Sequence, residues 1–302
     1  MRKERIIYTF ILCIVFLMAG GFFLPKPGTY RLEYDRFWVK KTHCASEYNT
    51  VIIGDSRAYR GVSPSEMEEE FPGLKVLNFG YSSGGLNDFM FDEAVKKIDT
   101  DCKEPVIILA VAPHTLIDLE NDNAHYLEQL ALPREEVLEK LYLFPLLRFF
   151  TPVDPETLFK GESQDNYRQV FYDNGWVASY KDVEDTLEAV VSYREIYSKF
   201  QVSQERVDEM VRQVKAWSDS GYYVFAFRPP VSWSMKMLED SLSGYDEAVI
   251  RNHIETAGGV WIPLNGYVFH SYDGSHLHRD SAIKLSDILA EKIRWHLSDH
   301  SP

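Results

Sequence analysis

The sequence predicts an α/β protein in which a parallel sheet is covered by helices on both faces. Two patterns carry that prediction: short apolar strand-like runs alternate with helix-period segments after residue 48, and residues able to do chemistry directly follow those runs. Strand and helix alternation of this kind is how parallel sheets are built, and sites in such sheets sit beyond the carboxyl ends of the strands. A third observation, an apolar stretch at the N-terminus, predicts a membrane helix ahead of the domain.

The uncharged and predominantly apolar run Ile6 to Leu24 comes first. At about 1.5 Å per residue it covers most of a roughly 30 Å hydrocarbon core. Arg2, Lys3 and Arg5 precede it like the basic region of a secretory signal, and Ala19, Gly20 and Gly21 offer a cleavage region. The run is longer than the usual signal core and no Ala-x-Ala site follows, so an uncleaved single-pass anchor is expected. Lys26, Arg31, Arg36, Lys40 and Lys41 are basic as well. Loop charge therefore leaves the orientation open, while a short tail before a long domain favours export of that domain. The organisation read from the chain is a tail and transmembrane anchor over 1–24, a juxtamembrane linker over 25–47 opened by Pro25 and Pro27, and one globular domain over 48–302.

Strand-like runs appear at Val51–Gly54, Lys75–Phe79, Val106–Val111, Tyr222–Phe227 and Val260–Leu264. In Gln204–Ser218, Val207, Met210, Val211, Val214 and Trp217 recur at three- and four-residue spacing, which marks one buried helix face. Leu285, Leu289, Ile293 and Leu297 repeat the pattern near the C-terminus. Between the third and fourth runs the interval 114–201 exceeds an ordinary crossover and is rich in aromatic residues. It predicts a helical insertion that starts at the site-bearing strand end and forms a lid or substrate wall. Most of its rings are expected to fill a core. Trp176, in the turn-like Asp173-Asn174-Gly175-Trp176, is expected at the surface, where its ring suits a sugar face.

The chain holds 32 basic and 46 acidic residues, a formal net charge of −14. Nucleic acid and anionic membrane surfaces reward clustered Lys and Arg, so neither is expected as the main partner.

Two separated motifs carry the chemistry. Gly54-Asp55-Ser56-Arg57 follows the first strand, and Asp273-Gly274-Ser275-His276 precedes the last helix-period segment. A serine becomes a nucleophile beside a base, and that base needs an anion to hold its tautomer and charge. With Asn78-Phe79-Gly80 closing the second strand, these blocks resemble the SGNH (GDSL-type) hydrolase superfamily over about residues 48 to 297. The resemblance implies a three-layer, flavodoxin-like sandwich with strand order 2-1-3-4-5. It also implies Ser56 as nucleophile, His276 as base, Asp273 as its orienting acid, and the N–H groups of Ser56 and Gly80 as oxyanion donors. The third block departs from the family, because Ala112-Pro113-His114-Thr115 stands where an Asn is usual. That departure and the N-terminal anchor resemble the extracytoplasmic acyltransferase-like branch, which includes proteins of alginate O-acetylation and teichoic-acid D-alanylation.

In the implied strand order the first and third strands are neighbours, so Cys44 and Cys102, each shortly before one of them, are expected to meet in a disulfide. The alternative is two unrelated thiols. Arg57 and Arg228 are candidate ligands for a substrate carboxylate or phosphate. Their structural alternatives are a salt bridge from Arg57 to the acidic stretch Glu66 to Glu70 and loop carbonyl contacts from Arg228. His114 is a further substrate-binding candidate. Asp273, His276 and His278 lie close together but lack a completing cluster, so no metal is expected, nor any cofactor.

The functional expectation is an extracytoplasmic serine O-acyltransferase. Its substrates would be a cell-envelope polysaccharide or glycoconjugate and an acylated carrier, and a membrane-bound O-acyltransferase would be its partner. A carbohydrate esterase with the same residues is the alternative. A non-catalytic polysaccharide-binding or assembly protein is the reading of another class.

Overall fold

A computed structural model of the protein describes residues 2–23, 29–82, 84–143 and 167–299. In chain order the elements are α1 (Arg2–Phe23), α2 (Thr29–His43), β1 (Thr50–Ile53), α3 (Ser56–Gly61), α4 (Pro64–Glu70), β2 (Val76–Asn78), α5 (Asp88–Val95), β3 (Val106–Ala110), α6 (Ala124–Leu130), α7 (Arg134–Leu138), β4 (Tyr167–Phe171), β5 (Val177–Lys181), α8 (Glu188–Lys199), α9 (Gln204–Asp219), β6 (Tyr223–Phe227), α10 (Trp233–Leu242), α11 (Glu247–Thr256), β7 (Val260–Trp261) and α12 (Arg279–Asp299). The chain divides into two compact units, one of Met1–His43 with Gln129–Asp165 and one of Cys44–Glu128 with Asn166–Pro302.

In the first unit, the side chains of α1 from Ile6 to Met18 include a series of exposed apolar groups, among them Phe10, Leu12 and Phe16. The expected transmembrane helix is corrected to this extent: among the described residues no helix is long and apolar enough to cross a membrane. The expected linker is also more ordered than its composition suggests. Thr29–His43 is helical and buries Phe37, Trp38 and Val39, and the Lys41 ammonium sits 5.2 Å from the Trp38 ring centre. Pro25 and Pro27 lie outside the described residues.

The second unit is built on a five-stranded parallel sheet ordered β2-β1-β3-β6-β7. Numbered along the whole chain this departs from 2-1-3-4-5, because β4 and β5 form a separate antiparallel hairpin between the third and fourth strands of the sheet. The register pairs Thr50 with Val106 and Val106 with Tyr223, so the central strands begin level and end at one edge. β1 and β3 are buried at every position, as expected of strands covered on both faces. Ile52, Ile108 and Phe225 point into one layer with Leu285, Leu289 and Ile293 of α12. On the other face α5, α9 and α11 pack on the sheet and on one another. The last strand is shorter than expected: Ile262 N–H still donates to Ala226 O, but Pro263 has no N–H to continue the ladder.

The insertion is not simply helical. Besides α6, α7 and α8 it contains the hairpin Tyr167–Phe171/Val177–Lys181, and β5 packs against α3 and α12. Phe144, Phe149, Phe150 and Phe159 lie outside the described residues.

The Cys44–Cys102 disulfide is not formed, since all three cysteines are free thiols. Tyr48 and Ile98 are parallel bridge partners. Cys44 precedes that pairing point on its segment and Cys102 follows it on the other, so the two stand on opposite sides of it along the chain. The support this bond would have lent to an oxidising compartment goes with it.

Candidate active site

β1 stops at Gly54, where the chain turns into α3. A side chain at position 54 would sit 2.9 Å from the Cβ atoms of both Ala58 and Ala110, so only glycine lets the turn approach its neighbours. Asp55 caps the new helix through a hydrogen bond from Arg57 N–H to Oδ1 at 2.9 Å. This leaves Ser56 as the first helical residue, partly exposed at the carboxyl edge of the sheet.

The second motif reaches the same point from 220 residues away. Gly274 adopts a left-handed φ of 95°, and a Cβ there would lie 2.2 Å from Thr186 O. The tight turn lets Asp273 Oδ1 accept the N–H groups of Ser275 and His276 at 2.8 and 2.7 Å. Asp273 Oδ2 then lies 2.6 Å from His276 Nδ1, and His276 Nε2 lies 2.8 Å from Ser56 Oγ.

The electrostatics assign the protons. Burial works to raise the Asp273 pKa, but its hydrogen bond to His276, the imidazole charge and the two N–H donors overcome this and hold it at about 2. An ionised carboxylate can only accept, so Nδ1 of His276 carries the proton and Nε2 presents a lone pair to Ser56. Burial and the Arg60 charge keep His276 below the ordinary imidazole value against the upward pull of Asp273. The base is therefore neutral near pH 7. The arrangement can draw the Ser56 proton onto Nε2 while Asp273 stabilises the resulting imidazolium.

The other expected site residues are placed differently. Trp176 is 2% exposed and belongs to the core cluster of Ile52 and Leu285. It stacks on Tyr172 at 4.7 Å and donates its Nε1–H to Arg60 O at 3.2 Å. The turn that was to expose it instead docks on β2, where Asn78 N–H donates to Asn174 O at 2.9 Å.

Arg57 is also buried and pairs with Glu239 at 2.6 Å, not with Glu66 to Glu70. Arg228 is committed to Glu239, Asp240 and Glu247 at 2.8, 2.8 and 3.1 Å. Both guanidiniums are thus neutralised by protein carboxylates, and neither serves as an open anion ligand. Gly80 N–H is already donated to Asn78 Oδ1 at 3.1 Å, so it is not a free oxyanion donor.

His114 is buried with Nδ1 3.9 Å from Asp55 Oδ2 and its ring 5.1 Å from Tyr193. Burial and the Arg57 charge push its pKa down to about 4, so it is neutral here. His278 turns away to meet the edge of Tyr180 at 6.0 Å. Among the described residues no group of three or more potential ligands could hold a metal.

Several residues at the site escaped the sequence reading. Ser275 Oγ accepts from Arg57 Nε at 3.0 Å and lies 3.4 Å from Tyr193 OH. Arg60 donates from Nη1 to Tyr272 OH at 2.8 Å, and the Tyr272 ring lies parallel to His276 with centres 5.9 Å apart. Tyr167 OH approaches Tyr272 OH at 3.3 Å. Arg60 had a legible signal, since a residue four positions after Ser56 on a helix shares its face. Glu239 had none, because nothing local to α10 marks it as a partner of Arg57.

No family profile and no curated protein matches the chain. A solved structure from Streptococcus pneumonia, provisionally described as a platelet activating factor, is similar with a TM-score of 0.37 at 11% identity, covering 95% of this chain and 98% of the other. A likeness at that level assigns neither a family nor an activity.

Proposed function

We propose that the protein is an SGNH-like serine enzyme that transfers an acyl group to a hydroxyl of a cell-envelope glycan. The observation that carries this reading is the continuous line Ser56 Oγ–His276 Nε2–His276 Nδ1–Asp273 Oδ2, with contacts of 2.8 and 2.6 Å around a neutral imidazole. Ser56 Oγ attacks the acyl carbonyl as its proton passes to Nε2, and the carbonyl electrons move onto oxygen. Collapse expels the donor alkoxide, which takes the proton from His276 and leaves an acyl-serine. An acceptor hydroxyl, deprotonated by His276, then attacks that ester and regenerates Ser56. Ser56 N–H, the first of a helix, is the oxyanion donor supplied by the nucleophile's own residue.

Water in place of the acceptor would make the same site an esterase. A binding or assembly role needs no such proton line and is the weaker reading. The extracytoplasmic, membrane-anchored setting and a membrane-bound O-acyltransferase partner are part of the proposal. The setting is supported by the basic start of the chain and the exposed apolar side chains of α1, the partner by the family resemblance alone.

A serine-directed fluorophosphonate probe tests the core of this reading. Labelling of the full chain that disappears in Ser56→Ala and in His276→Ala supports an activated serine. Folded protein that does not label, or labels equally without Ser56, overturns it. Loss of glycan acylation in a Ser56→Ala strain then favours transfer, whereas accumulation of over-acylated glycan favours the esterase.

A further inference from the structure

Arg60 differs from the other arginines that are buried or half-buried around the second unit's core. Arg57 is paired with Glu239, Arg228 with three carboxylates, and Arg206 with Glu209. Arg60 has no carboxylate partner among the described residues, although the chain carries 46 acidic side chains. Its Nη1 donates to Tyr272 OH, its guanidinium lies 5.4 Å from the Tyr59 ring centre, and its Nε is buried with no hydrogen-bond partner. Tyr59, Tyr272 and Tyr167 hold the cation against the cost of burial, but none is a carboxylate, and an anion would supply the missing counter-charge.

The position is specific. Arg60 follows Ser56 by one helical turn on the same face. Tyr272, its hydrogen-bond partner, adjoins Asp273 and covers the His276 ring. Tyr167 adds a second hydroxyl from the insertion hairpin, 3.3 Å from that of Tyr272. A guanidinium with two neighbouring phenols is a recognition set for an oxyanion, either carboxylate or phosphate.

We propose that Arg60, with Tyr167 and Tyr272, forms an oxyanion subsite beside Ser56 and His276, so that the substrate carries a carboxylate or phosphate close to the acyl-bearing oxygen. As a substrate subsite this rests on the acyl-transfer reading; as an anion site it does not. The two sources of the anion are a uronic-acid carboxylate and a phosphate of the glycan or its carrier.

The test uses the full chain with arginine side chains labelled in 15N, the Arg60 Nε–H signal being assigned by its loss in Arg60→Lys. Sodium phosphate, sodium D-glucuronate and D-glucose are titrated at constant ionic strength with sodium chloride. A saturable shift of the Arg60 signal with phosphate or glucuronate, absent with glucose, is the expected result. The responding anion identifies the source. Tyr167→Phe should weaken the binding at least threefold, and Arg60→Gln should abolish the accompanying shift of the His276 imidazole. The proposal is overturned if neither anion gives a saturable shift, or if the His276 response to anion is unchanged in Arg60→Gln. Where Arg60→Gln does not fold, an unchanged affinity in Tyr167→Phe overturns it. Anion binding in a protein that fails to label with fluorophosphonate keeps the subsite and removes the acyl-transfer reading, so the two failures are separable.

Discussion

Ser275 Oγ accepts a hydrogen bond from Arg57 Nε at 3.0 Å. Arg57 directly follows Ser56 and Ser275 directly precedes His276, so this one bond ties the segment of the expected nucleophile to the segment of its base. The same guanidinium is neutralised by Glu239, which also meets Arg228, and its face lies 5.0 Å from the Tyr193 ring centre. The Ser56–His276 contact is therefore held from below by a buried charge network.

Glu239→Ala should be strongly destabilising. It removes the carboxylate shared by Arg57 and Arg228 and leaves Arg57 buried without its principal counter-charge. Breaking a buried pair in this way costs about 3–5 kcal/mol. Chemical denaturation of the two proteins measures it, and a loss well under about 1 kcal/mol would show that the network is dispensable.

Fluorophosphonate labelling should increase with pH and reach half its maximum below pH 6.5. The folded protein holds His276 below the ordinary imidazole value, so the neutral, proton-accepting form dominates from a lower pH than in a free histidine. A half-point above 6.5 would contradict the assignment. Asp273→Asn should slow labelling by up to about 10⁴-fold, because an amide no longer enforces the Nδ1–H tautomer.

Stability should fall in the mildly acidic range through His114. Its pKa is about 4 in the folded chain against 6.5 for the ordinary side chain, so the unfolded state binds the extra proton. The contribution is fully present above about pH 6.5 and lost as pH falls towards 4. At about 1.4 kcal/mol per pH unit the loss amounts to some 3 kcal/mol. Unfolding free energies of wild type and His114→Gln from pH 7 to 4 test this, with a flatter profile expected for the variant.

Trp176→Ala should behave as a core deletion. The ring is buried between Tyr172 and the α3 backbone, and its loss is expected to cost about 3–5 kcal/mol. A variant as stable as wild type would return Trp176 to the surface role its turn suggests.

Alkylation under non-reducing, denaturing conditions should modify Cys13, Cys44 and Cys102 together, since all three are free. Mass spectrometry reads the result. A chain with only one alkylated cysteine would reinstate the Cys44–Cys102 bond.

Much of the architecture was legible along the chain. The five apolar runs and the three- and four-residue periodicity of Val207 to Trp217 and Leu285 to Leu297 are local patterns, and burial of one strand or helix face is enough to impose them. Ser56, Asp273 and His276 were legible because each lies in a short turn motif whose chemistry is written in adjacent residues. What the tertiary structure alone decided is how polar and aromatic side chains are spent. Arg57 and Arg228 find Glu239, Gly80 N–H finds Asn78, and Trp176 turns inward. Arg60 is left beside His276 without a carboxylate. A guanidinium or an indole carries no mark of its partner in the sequence, because burial and pairing are set by which distant segments the fold brings within a few ångströms, and those contacts are non-local by nature.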